Sequence, residues 1–196
     1  MKAAAIALGF RVKSGFAVAV ALRGPASAPV ALGRRVVELS DPGFPETRQP
    51  YHDGFYHEQE DPCEIARRVK VVEGCARKAI TALMKDDCLT GQPCRGAGLV
   101  VGSMIDPKQI GNPHIRAHAA EGQLFRTALE RALSAHGVDC GVFVEKQLAA
   151  TATAGLRRSN GEIARVLAGF GKTLGGPWRA DEKNAAIAAW LALVIF

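Results

Sequence analysis

The chain has 196 residues, 48% of them hydrophobic and 22% charged, with a net charge of +6 and a pI of about 9.3. That is the composition of a globular protein with its own core, and it excludes a low-complexity, collagen-like or strongly acidic disordered chain. Mild basicity permits nucleic acid or another anionic partner without demanding one.

The segment AIALGFRVKSGFAVAVAL (5–22) opens the reading. With Lys2 before it and a small-residue A-S-A at 26–28, it has the ingredients of an export signal. Such a signal needs an uninterrupted apolar core, and here Arg11 and Lys13 cut the stretch into two runs of strand length. The expectation is a hairpin, roughly 3–10 and 15–23, turning at Lys13, Ser14 and Gly15. RRVVELS (34–40) reads as a third strand.

Residues 40–61 hold several prolines and no helical period, the signature of a long functional loop. Asp61, Pro62 and Glu64 then mark a helix start with a capping box, and Ile65, Val69, Val72, Ala76, Ile80 and Leu83 give that helix one apolar face. GAGLVVG (96–102) reads as a buried strand, and Asn112-Pro113 starts a second long helix that ends near His136-Gly137. CGVFVE (140–145) is a fifth strand. A short helix capped near Asn160 and stopped around Gly169 and Gly171 follows, then a last helix from about Asp181. GFGKT (169–173) resembles part of a phosphate loop, but Val166 stands where its first glycine is needed. The closing run AAIAAWLALVIF is too short to span a bilayer and reads as a buried helix, so no membrane association is expected; alternatively its apolar end, through Phe196, offers a surface for a homo-oligomer.

The cysteines at 63, 75, 88, 94 and 140 are odd in number and lack C-x-x-C spacing, which favours free thiols and a cytoplasmic location over a zinc finger or a disulfide framework.

The order β-β-β-α-β-α-β-α-α resembles the ribonuclease H fold, and several stretches resemble its Holliday-junction-resolvase-like branch. They are ALGFRVKSGFAVAV (7–20), LVVGSM (99–104), FVEKQLAAT (143–151) and EKNAAIAAWLAL (182–193). The resemblance implies an α/β protein built as one unit over 1–196. Its ribonuclease H-like mixed sheet would have five strands, three antiparallel and then two parallel, with helices on both faces and a loop insertion at about 40–61. It also implies a nuclease site in which carboxylates hold two divalent metal ions.

That site is incomplete in this chain. Aligning on Gly15-Phe16-Ala17 puts Leu8 where the resembled enzymes keep the central strand-1 Asp, and no acidic residue precedes Glu38. The last-helix Asp becomes Asn184, Glu145 matches a family carboxylate, and Asp181 or Glu182 could substitute from one turn earlier. The expectation is a resolvase-like protein without two-metal nuclease activity that binds nucleic acid or a protein partner. Arg11, Lys13, Arg48 and Lys146 are the candidate nucleic-acid contacts.

The alternative is a hydrolase or transferase with a rebuilt site at the carboxyl edge of the sheet. Its candidates are His52, His118, Glu121 and Glu145, with Asp181 as a further carboxylate. His114, His118 and Glu121 share one helix face at i, i+4 and i+7, a spacing suited to a divalent metal, an acid/base pair, or pinning of the 40–61 loop. Arg48 and Arg126 are the expected partners of Glu121 or Glu145. His52 and His57, in the loop beside aromatic residues, read as packed or solvent-facing.

Overall fold

The structure, a computed structural model, describes residues 5–54, 57–86, 89 and 91–196. Strands β1 (Ile6–Lys13), β2 (Phe16–Arg23) and β3 (Val30–Glu38) are followed by α1 (Pro62–Met84), β4 (Cys94–Val101), α2 (Pro113–Ser134) and β5 (Cys140–Val144). Helices α3 (Leu148–Leu156), α4 (Asn160–Leu174) and α5 (Ala180–Ile195) complete the order. The five strands form one sheet in the order β3-β2-β1-β4-β5. The pairs β1–β2 and β2–β3 are antiparallel, whereas β1–β4 and β4–β5 are parallel. The carboxyl ends of β1, β3, β4 and β5 therefore lie along one edge.

The period of two along β1 sorts its side chains between two cores. Ile6, Leu8, Phe10 and Val12 enter a cluster with Val72 and Ile80 of α1 and Phe125 and Leu129 of α2. Ala7 joins Val20, Leu22, Phe170, Trp190 and Leu193 on the other face, under α4 and α5. Helices thus cover both faces of the sheet. On the α5 face Gly9 and Gly98 leave no side chain at all. A Cβ on Gly98 would lie 2.5 Å from the Ala188 carbonyl oxygen, and one on Gly9 would overlap that of Ala185. Backbone rests directly on backbone, so α5 is held close and its first turn is carried to the sheet edge.

Several local expectations need correction. Asp61 caps α1 by accepting from the Cys63 amide at 2.8 Å, but Glu64 does not reach back to close a capping box. Glu64 binds Arg67 and Arg68 instead, while the Asp61 amide donates to Gln59 Oε1 at 2.9 Å. The full capping box belongs to α4, between Ser159 and Glu162. Gly169 and Gly171 do not stop that helix; they lie inside it, and Gly171 is the floor for the Trp178 ring. The helix ends at Gly175, with φ 63°. The closing apolar run is a buried helix as expected: Ala188, Ala189, Trp190, Leu191 and Ala192 are buried, and Val194 and Ile195 are exposed. No described helix is long and apolar enough to cross a membrane.

Candidate functional site

Arg11 follows Gly9 on the α5 face near the carboxyl end of β1, and only 5% of it is exposed. A guanidinium removed from water requires a paired charge and satisfied donors. Its Nε donates to Glu145 Oε1 at 3.2 Å and its Nη2 to Glu145 Oε2 at 2.5 Å, a two-pronged pair. Its Nη1 donates to the Val12 carbonyl at 2.7 Å and lies 3.4 Å from that of Val100. Glu145 begins the turn after β5 and also accepts from Asn184 Nδ2 at 2.9 Å. Asp181, in the first turn of α5, lies 3.2 Å from Lys13 Nζ and 3.7 Å from Arg11 Nε. The sheet edge thus gathers Arg11, Lys13, Glu145, Asp181 and Asn184.

Leu8 is not part of this group. It is fully buried on the α1/α2 face, opposite to Arg11. Leu8 and Arg11 are three residues apart, which sets their side chains on opposite faces of the strand. The β1 side chain that meets Glu145 is Arg11. Arg48 and Arg126 are not the partners of Glu121 or Glu145 either. Arg48 is exposed, 5.7 Å from the Phe16 ring, and Arg126 lies beside Met104 and Glu130. Lys146 is exposed next to Glu145. On β3, Arg34 faces Glu182 and Arg35 binds Asp86.

A second group lies where the 40–61 loop meets α2. Asn112 caps α2 and Pro113 occupies its first turn, which sets His114 and His118 on one face. Glu121 follows one turn later and is fully buried. Its Oε1 lies 2.7 Å from Nδ1 of His52, a buried loop residue. Its Oε2 makes no hydrogen bond among the described residues and sits 3.5 Å from His118 Nδ1. Burial pushes the Glu121 carboxyl up to about 7 against the opposing pull of His118 and the Tyr51 backbone, and burial pushes the His52 imidazole down. His52 Nε2 lies 3.2 Å from His114 Nδ1.

Nitrogens of His52, His114 and His118 lie within 4.8 Å of one another. The expected trio of His114, His118 and Glu121 is therefore rearranged. Glu121 stands behind the histidines, and the third nitrogen comes from the loop. His52 is packed, as its aromatic neighbourhood suggested, but it is packed into this cluster; His57 is exposed outside it.

The loop itself is tied down. Arg68 donates to the His52 carbonyl at 2.7 Å, and Arg116 makes a two-pronged pair with Glu58. A cavity of about 240 Å³ joins the two groups, lined by Arg11, Lys13, Ser14, Ser103, His118 and Gly122 among others. Burial pushes the Cys140 thiol up to about 12 and raises that of Cys94 as well, away from the thiolate form.

No protein-family model matches the chain, and no curated protein matches it. Solved structures do. RuvC of Thermus thermophilus matches over 95% of this chain and 92% of its own, at 12% identity and a TM-score of 0.51. The same protein in complex with a Holliday junction substrate matches over the same shares, at 11% identity and a TM-score of 0.54. The yeast mitochondrial Holliday junction resolvase Ydc2 matches over 97% of this chain and 77% of its own, at 10% identity and a TM-score of 0.47. The mixed sheet, its strand order and its flanking helices define a ribonuclease H-like α/β fold. Within that class the chain has the resolvase type of the fold.

Proposed function

We propose that this protein binds nucleic acid through the carboxyl edge of its sheet and does not cut it by the two-metal route. The observation that carries this reading is the seat of Arg11. Two-metal hydrolysis needs carboxylates whose negative charge is left for the ions. Here the formal charges of Glu145 and Asp181 are matched by those of Arg11 and Lys13, and Asn184 adds an amide without charge. A hard divalent ion at Glu145 would have to compete with a buried, doubly bonded guanidinium for the same carboxylate.

Binding rests on other features. The chain carries a net charge of +6. Arg48 and Lys146 are exposed, and Lys13 is half-buried near the cavity that Ser103 also lines. Arg11 is committed to Glu145 and serves as a structural cation rather than a phosphate contact. A protein of similar fold has been solved on a Holliday junction, which makes branched and duplex DNA the first substrates to offer.

The test is fluorescence anisotropy on labelled junction, duplex and single-stranded oligonucleotides over a salt series, with cleavage followed in Mg²⁺ and Mn²⁺. Binding that weakens steeply with salt, without cleavage, is expected. Cleavage that disappears in Glu145→Gln would sink the non-catalytic reading, and absence of salt-dependent binding would sink the nucleic-acid one.

A further inference from the structure

The cluster on α2 asks for a ligand that the sheet-edge reading does not supply. We propose that His52, His114 and His118 bind a divalent transition-metal ion of the zinc type, with Glu121 as the carboxylate behind the ligands.

The geometry is close to that of a three-histidine site. Zinc takes imidazole nitrogens at about 2.0–2.1 Å in a tetrahedron, whose edge is then about 3.3 Å. The 3.2 Å between His52 Nε2 and His114 Nδ1 is already such an edge, and one ligand nitrogen from each histidine lies within 4.8 Å of the other two. A small rotation of His118, whose side chain is 46% exposed, would close the third vertex. His114 and His118 are one turn apart on a capped helix, the spacing at which two ligands share a face.

The supporting groups point the same way. A ligating histidine usually gives its second ring N–H to a carboxylate, which fixes the tautomer and the ring plane. Glu121 Oε1 takes that role for His52, leaving Nε2 for the ion. Its other oxygen is buried without a hydrogen bond among the described residues and faces His118 Nδ1. His52 is held from behind by Arg68, and the loop that carries it by the pair of Arg116 with Glu58. The nitrogens form a graded path from buried His52 through half-buried His114 to exposed His118, so an ion can enter and a water can complete the shell. Three imidazoles select zinc-like ions over Mg²⁺, which prefers oxygen. His118 also lines the cavity that holds Arg11 and Lys13, which brings the site to the rim of the sheet-edge cleft.

This inference does not rest on the nucleic-acid reading. The experiment is titration of the chelator-stripped protein with Zn²⁺ by calorimetry, with Mg²⁺ as the comparison, and with Co²⁺ by visible absorption. One Zn²⁺ per chain at about 1 µM or tighter is expected, with negligible Mg²⁺ binding and tetrahedral Co²⁺ bands. His118→Ala, at an exposed position, should weaken Zn²⁺ by more than about tenfold and abolish the Co²⁺ bands. His136→Ala, whose ring contacts Thr81 on α1, should change neither. Zn²⁺ binding no tighter than about 1 mM would overturn the proposal. So would wild-type affinity in both His114→Ala and His118→Ala, or Mg²⁺ binding equal to Zn²⁺. Nucleic-acid cleavage by the zinc-loaded protein would revise the function proposed above and leave the metal site standing.

Discussion

Arg11 and Glu145 are 134 positions apart in the chain and form a two-pronged ion pair across the carboxyl edge of the sheet. The pair ties the end of β1 to the turn after β5. Asn184 adds α5 to the same node.

Removing the cation should therefore be costly. In Arg11→Met the carboxylate of Glu145 keeps Asn184 but loses its counter-charge. Breaking a buried pair costs about 3–5 kcal/mol, and the 40% exposure of the Glu145 side chain places the loss nearer about 2 kcal/mol. The double variant Arg11→Met/Glu145→Gln should recover most of it, as read in a double-mutant cycle of urea unfolding.

Reversing the charge should convert the edge into an ion site. Arg11→Asp would set a third carboxylate beside Glu145 and Asp181. The metal-free variant should unfold earlier than wild type, and millimolar Mn²⁺ should raise its Tm but not that of wild type. Equal Mn²⁺ responses in the two proteins would show that Arg11 does not stand where an ion would bind.

The glycine floor under α5 has its own signature. Gly98→Ala and Gly9→Ala each force a methyl group against helix backbone, which cannot rotate away. Each should cost about 3 kcal/mol, roughly 6–12 °C in Tm, at the upper end of overpacking effects. Gly74→Ala, on α1 with no atom within 4 Å of the added methyl, is the control and should stabilise slightly.

The loop between β3 and α1 should loosen locally rather than unfold the protein. Arg116→Ala removes the partner of Glu58, and hydrogen exchange should quicken over 49–54 and 57–60 while β1 and β4 amides keep their protection. Uniform acceleration across the sheet would mean that the loop is part of the global folding unit.

What the sequence made legible follows from periodicity and capping. The hairpin at Lys13–Phe16, the cap at Asp61 and the helix start at Asn112-Pro113 are local signals, and each stands where those residues place it. Helix α3 escaped notice because LAATATAGL is short and mostly small residues, and its apolar face is only Leu148, Ala152 and Leu156. The pairing of Arg11 with Glu145 was not legible because 134 positions separate them, although the alternation Leu8, Phe10, Val12 against Ala7, Gly9, Arg11 already sets Arg11 away from the α1/α2 face. His52 could not have been joined to His114 by any local pattern, since 62 residues separate them and only the seating of the loop on α2 brings them together. Gly171 looked like a helix stop because its partner, Trp178, acts across a turn.

The pairing of Arg11 and Lys13 with Glu145 and Asp181 has a consequence for how this surface behaves in its surroundings. A carboxylate cluster filled by dissolved ions has a potential that rises and falls with their concentration. One filled by side chains has its counter-charge attached by covalent bonds and supplied with every copy of the chain. The counter-charge at this edge is thus part of the chain itself and does not depend on an ion being bound there.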